Sequence, residues 1–239
     1  MLDIEGTTTP VAYVFEVLFP FARDRVQAFL AAQGQAAQAD LALLRQEYQA
    51  ETDAVPAWSG DEPVAAVPYI HYLIARDRKS TGLKSLQGKL WNAGYRSGEL
   101  RSQLFPDVKP AFERWQAAGK AIYIFSSGSV QAQQLIFRYS QDGDLTPYIS
   151  GYFDTTTGPK REVSSYQKIA QEIGTAPNDI LFISDVVAEL QPAQAAGFQT
   201  LFSQRPGNHS DDSQGVEVIH AFDQVQLTQK ALDPTQTVE

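Results

Sequence analysis

The sequence predicts an α/β protein whose parallel sheet is interrupted, directly after its first strand, by an all-helical insertion. Three observations predict it. After Phe105, short apolar runs of strand type alternate with helical segments, which is the pattern of βα units in a parallel sheet covered by helices on both faces. Between residue 11 and about residue 105 the apolar residues recur with helical spacing instead. Ahead of both stands Asp3-Ile4-Glu5-Gly6-Thr7-Thr8-Thr9-Pro10, two carboxylates two residues apart that run into a Gly-Thr turn.

In an extended backbone, residues i and i+2 project to one side, so Asp3 and Glu5 face one reaction centre while Ile4 turns away. In the insertion, Val14, Phe15, Val17, Leu18, Phe21, Val26 and Phe29-Leu30 follow helical spacing. Residues 36–50 are rich in Ala, Leu, Gln and Glu, all strong helix formers. Asp61-Glu62-Pro63 starts a helix over 64–76, with Pro63 suited to a first turn, and another helix covers 82–92. Strands then follow at 121–125, 180–183 and 199–202, separated by helices at 109–118, 130–140, 164–174 and 188–196. The expected domains are 1–9 with 106–239 for the sheet, and 10–105 for the helical insertion. The polar stretch from Asp223 onward reads as a frayed tail, and no internal repeat is present.

The strand ends carry the chemistry. Ile122-Tyr123-Ile124-Phe125 empties into Ser126-Ser127-Gly128-Ser129 at a helix start, where free N–H groups and the helix dipole favour an anion, although serines there also cap helices. Lys160 follows Gly158-Pro159, a pair that constrains a loop, and offers a point charge to a phosphoryl group. Ile180-Leu181-Phe182-Ile183 delivers Ser184-Asp185, and with Asp3 the Asp185 carboxylate completes an oxygen-ligand site for Mg²⁺. Glu189 either orients metal-bound water or faces solvent. Ligands bind beyond the carboxyl ends of strands in such sheets, so Asp3, Ser126, Lys160 and Asp185 converge there, and the insertion at the Gly6-Thr7 turn lies over them. These residues by themselves describe a Mg²⁺ phosphomonoesterase with an aspartate nucleophile.

Composition narrows the classes. With 239 residues and 43% hydrophobic content the chain can bury a sizeable core. A formal charge of −9 argues against nucleic acid or anionic membrane as a partner. The absence of cysteine excludes disulfides and thiolate chemistry. No apolar run approaches the ~20 residues of a membrane helix and no leader is evident, so a cytoplasmic protein is expected. His71, His209 and His220 lack metal-ligand spacing, and Trp58, Trp91 and Trp115 read as packing residues. Arg76, Arg78, Lys79, Lys84 and Lys89 form one basic cluster, either a solvated helix face or a cap edge facing an anionic substrate.

Taken in order, Asp-x-Glu-Gly-Thr, strand-Ser-Ser-Gly, Gly-Pro-Lys and strand-Ser-Asp resemble the four motifs of the haloacid-dehalogenase-like phosphatases, which implies a Rossmannoid core. Glu at the second acidic position, the segment Asp77-Arg78-Lys79-Ser80-Thr81-Gly82-Leu83-Lys84-Ser85-Leu86-Gln87-Gly88, Trp91, Gly94-Tyr95, Leu104-Phe105-Pro106-Asp107-Val108 and Tyr152-Phe153-Asp154-Thr155-Thr156 narrow the likeness. They resemble the enolase-phosphatases of methionine salvage, from Asp3 to Ser203. The resemblance implies Asp3 as nucleophile, Glu5 as acid and base, and Ser126, Ser127 and Lys160 as phosphate-binding residues. It further implies Mg²⁺ on the Asp3 carboxylate, the Glu5 carbonyl and the Asp185 carboxylate, a small phosphate ester as substrate, and a monomer. The enolisation base is Glu5 or a group of the basic cluster. Two rivals remain: a Mg²⁺-dependent phosphatase of another small phosphorylated metabolite, and a non-catalytic binding protein, which would ordinarily have lost Asp3 or Asp185. Only Met1 and Leu2 precede Asp3, so the natural start is expected a few residues upstream, or this form is expected to be less stable than a longer one.

Overall fold

A computed structural model describes residues 1–208 and 212–226. His209 and most of the expected tail lie outside the described residues.

The chain enters as a short central strand. Leu2 pairs in parallel with Ile124 on one side and Ile183 on the other, through hydrogen bonds of Leu2 N to Tyr123 O (2.8 Å) and Asp3 N to Ile183 O (3.0 Å). It then turns at Gly6 and becomes helical: α1 (Val11–Tyr13), a π-helical turn over Val14–Leu18, and α2 (Phe19–Gln33). Ala22, Val26 and Leu30, spaced by four, are buried. Then come α3 (Gln38–Gln49), α4 (Val67–Ala75) and α5 (Thr81–Ser97). Their inward faces form one apolar cluster with Leu44, Trp58, Tyr69, Ile70, Leu73, Leu86 and Leu90.

The remainder alternates: α6 (Val108–Ala117), β1 (Ile122–Phe125), α7 (Val130–Arg138), β2 (Ile149–Phe153), α8 (Val163–Ile173), β3 (Leu181–Ser184), α9 (Val187–Ala195), β4 (Gln199–Ser203) and β5 (Val218–Ile219). All pairings between these strands are parallel, and Leu2 joins the β2-β1 and β3-β4-β5 groups, giving the spatial order β2-β1-Leu2-β3-β4-β5. One core cluster holds Leu2, Ile124, Phe112 and Phe137, and another holds Phe125, Tyr166, Phe182 and Phe202. Helices therefore cover both faces, as the sequence predicts. The expected elements are found, with no end displaced by more than five residues. β2 and β5 were not anticipated: β2 is half-exposed and contains Gly151, so it lacks the continuous apolar run of its neighbours.

Both segments that flank the helical run are anchored to the core. Phe105 N donates to Thr8 O (3.0 Å), Ser102 pairs with Ser140, and Tyr13 Oη, Tyr95 Oη and Ser102 Oγ form a buried hydroxyl chain.

Candidate active site

At the carboxyl edge of the sheet, Asp3 follows the central strand, Ser126 follows β1 and Asp185 follows β3. Asp3 is 5% exposed. Its Oδ1 accepts from Ile4 N (2.7 Å), while Oδ2 lies 2.7 Å from Lys160 Nζ and 3.1 Å from Ser184 Oγ. The carboxylate is thus held on both oxygens before any ligand arrives. Lys160 is buried and also pairs with Glu189 Oε2 at 2.5 Å; Tyr166 Oη donates to the Lys160 carbonyl and fixes its loop on α8. Burial alone pushes the Lys160 ammonium toward neutrality, but Asp3 and Glu189 outweigh it and hold its pKa above the usual value.

Glu189 is settled by these contacts. It faces Lys160 and Ser184 and not solvent. Burial first, then Asp3, raises its pKa to about 7. Glu5 opens into a cavity, yet enough protein surrounds it that desolvation, followed by Asp3, raises its pKa to about 7. Asp185 is pushed up to about 8, again by burial first and Asp3 second. Four carboxyl groups therefore crowd one ammonium, an arrangement that takes up either protons or a divalent cation. Among the described residues no three His, Asp or Glu side chains close into a metal cage. A cation would rest on two carboxylates, a main-chain carbonyl and water, a donor set that suits Mg²⁺.

Gly6 makes this packing possible. Its φ is +66°, and a Cβ there would sit 2.0 Å from Asp185 Oδ2. Gly6→Ala is expected to lower kcat by about 100-fold, since the turn and Asp185 cannot both keep their places. Steady-state kinetics on the folded variant check this.

Capping at the start of α7 falls to Ser129, whose Oγ accepts from Ala132 N at 3.3 Å. Ser126 and Ser127 instead line the cavity. Sequence reasoning missed Gln133, a fully buried carboxamide that donates to Gly128 O and Phe153 O (both 2.8 Å) and so pins the serine loop to β2. It also missed Asp154, which accepts from Val130 N and Thr156 N and orders the Asp-Thr-Thr turn.

The cavity, about 280 Å³, runs from Glu5 and the serines to an apolar wall of Phe15, Leu18, Phe19, Leu83, Trp91 and Ile136. The π-helical turn lies along this wall. Trp91, expected only to pack, lines the cavity while its Nε1 donates to Leu18 O (2.9 Å). The basic cluster divides: Lys89 pairs with Asp40 and Arg76 stacks on Tyr72, while Arg78 pairs with Glu51 and also lines the cavity. Lys79 and Lys84 line the cavity, and Lys84 Nζ bridges to Ser127 O (3.1 Å).

Residues 1–197 match the family model described as haloacid dehalogenase-like hydrolase. Curated relatives named enolase-phosphatase E1 include one from Synechococcus elongatus, 63% identical over 94% of this chain and 96% of its own length. Another, from Azotobacter vinelandii, is 45% identical over 93% and 96%. The chain belongs to the enolase-phosphatases of the haloacid dehalogenase-like hydrolases. The crystal structure of the UTR4 protein of Saccharomyces cerevisiae superposes with a TM-score of 0.78 at 34% identity, covering 94% of this chain and 97% of that one. A dehalogenase at 19% identity and a TM-score of 0.54 shares the fold. Among the described residues of this enolase-phosphatase no helix is long and apolar enough to cross a membrane.

The raised carboxyl pKa values make stability pH-dependent. Folded, Glu5, Glu189 and Asp185 keep protons up to about pH 7 to 8, whereas unfolded they release them near pH 4, so unfolding becomes easier as pH rises through that window. Burial lowers the Met1 ammonium to about 5, which acts in the opposite direction, one group against three. The melting temperature of chelator-treated protein is expected to fall from about pH 5 to 8 and added Mg²⁺ to reduce the fall, as thermal melts will check.

Proposed function

We propose that this enolase-phosphatase converts 2,3-diketo-5-methylthiopentyl 1-phosphate, via the 2-hydroxy-3-keto enol phosphate, to 1,2-dihydroxy-3-keto-5-methylthiopentene (acireductone) and phosphate in methionine salvage. The observation that carries it is the Asp3 carboxylate, braced by Lys160 and Ser184, beside a cavity with an ionic end and an apolar wall. A phosphate ester with a thioether tail has the same two-ended character.

Asp3 attacks phosphorus and carries the phosphoryl group as an aspartyl-phosphate. Lys160 holds the attacking carboxylate in line and offsets charge on the transferring oxygens. Glu5, protonated near neutral pH, gives its proton to the leaving oxygen and then takes one from the attacking water. Ser126 and Ser127 bind the phosphate or the neighbouring oxygens. The Asp3 carboxylate, the Glu5 carbonyl and the Asp185 carboxylate would hold Mg²⁺, which when bound neutralises charge between the phosphate and these carboxylates. Residues 10–105 act as a cap over a core of 1–9 and 106–239, excluding water and reading the non-phosphate part of the substrate. The protein works as a cytoplasmic monomer.

The test is simultaneous detection of phosphate and enol absorbance from the diketo phosphate ester, with Mg²⁺ and with chelator. Both signals are expected with Mg²⁺ alone. Phosphate released only from other esters would replace this reading with a different small-metabolite phosphatase.

A further inference from the structure

The Gly6 carbonyl, next along the chain from the Glu5 carbonyl, is gripped from β4 and the loop after it. Asn208 Nδ2 donates to Gly6 O at 2.8 Å and lies 3.3 Å from Ser203 O, and Ser203 Oγ donates to Gly6 O at 3.2 Å. Ser203 is fully buried. Two carbonyls facing one end of the Asn208 carboxamide fix which end is nitrogen. Its buried Oδ1 has no partner among the described residues, so the side chain serves here as a donor.

Local sequence explains the placement. Arg205-Pro206-Gly207-Asn208 is a turn closed by Asn208 N to Arg205 O (3.1 Å), with proline at its second position and Gly207 at φ +84° at its third, the type II pattern. Arg205 anchors that turn. Its Nη1 donates to Asp107 Oδ2 (2.7 Å) and His220 O (3.0 Å), and its guanidinium lies over the rings of Phe105 and Phe222. The turn is thereby fixed to the core through contacts other than its own with Gly6.

Gly6 needs such a restraint. The residue must lack a Cβ to clear Asp185, and without a Cβ it has more backbone conformations open to it than any other residue. An added Cβ would meet Asp185 Oδ2 at 2.0 Å and Asn208 Nδ2 at 3.0 Å, so both side chains pack against the bare Cα of Gly6.

We infer that Asn208, assisted by Ser203, is a positioning residue: by holding the Gly6 carbonyl it sets the separation between the Glu5 carbonyl and the Asp185 carboxylate. The inference rests on the catalytic reading above for its effect on rate. Its effect on cation binding is read without substrate, so the two can fail separately.

The decisive variant is Asn208→Asp, which keeps the shape and removes both donors. The expected result is a kcat lowered about tenfold with KM within about twofold, and a several-fold higher Mg²⁺ concentration for half-maximal thermal stabilisation. The metal-free melting temperature is expected to fall, because the carboxylate faces the Gly6 and Ser203 carbonyls, so the Mg²⁺ midpoint is read against each protein's own metal-free value. Ser203→Ala should move the same quantities less, and it alone decides the matter if Asn208→Asp does not fold. An unchanged kcat and Mg²⁺ midpoint in the folded variant, or in Ser203→Ala where Asn208→Asp does not fold, would overturn the inference.

Discussion

Asp3→Asn is expected to abolish phosphate release, by about 10⁴-fold or more, with the fold retained. The amide oxygen can still accept from Ile4 N and its NH2 can donate to Ser184 Oγ, while Lys160, which must turn away from that NH2, keeps Glu189 as a partner, so no buried charge is stranded. The amide is not a nucleophile at phosphorus, and none of the surrounding groups substitutes for it. Glu5 is assigned above to proton transfer, Glu189 is committed to Lys160, and Asp185 is packed against the Gly6 turn. Phosphate release by a freshly purified variant at even a hundredth of the native rate would contradict the assignment; far-UV and thermal melts establish that the fold is intact.

Lys160→Met is expected to damage both activity and stability. The ammonium is about as buried as the carboxylate it meets, and it is shared by Asp3 and Glu189. Removing one partner of a buried pair costs about 3–5 kcal/mol, because the charge left behind is uncompensated. The loss of charge stabilisation at the transferring phosphoryl group should lower kcat by about 100- to 1000-fold. Sign separates this from a simple packing defect. Without the ammonium, which holds the Glu189 pKa down, the Glu189 carboxyl keeps its proton to higher pH, so the stability deficit should be largest near pH 8 and shrink toward about pH 5. Thermal melts across that range check it, and a deficit independent of pH would point to packing alone.

Much of the site was legible because its residues stand at the ends of buried apolar runs. Asp3, Ser126 and Asp185 each follow a strand, and Lys160 follows a Gly-Pro turn, so parallel topology alone predicts their convergence. What could not be read depends on contacts between distant segments. Ser184 resembles any strand-end serine until Asp3 and Glu189 are brought to it. Gln133 has the look of a polar helix residue until its amide meets the Phe153 carbonyl. Asn208 reads as a turn residue, and its grip on Gly6 spans almost the whole chain.

The fold shows the same division. α5 continues past the expected end at Asn92 because Gly94, which reads as a weak helix former, is the point where the Phe21 ring approaches too closely for a Cβ. β2 escaped notice because only Phe153 of its five residues is buried. Trp91 was assigned to packing on residue type alone, and only the assembled helices place it on the cavity wall.

The most direct test of Asp3 as the nucleophile is to quench the working enzyme in acid, reduce it with borohydride and sequence the N-terminal peptide by mass spectrometry. An aspartyl-phosphate is reduced to homoserine, and that residue is expected at position 3 and nowhere else, only when substrate and Mg²⁺ were both present. Unmodified Asp3 in enzyme that is releasing phosphate, or homoserine at another carboxylate, would contradict it.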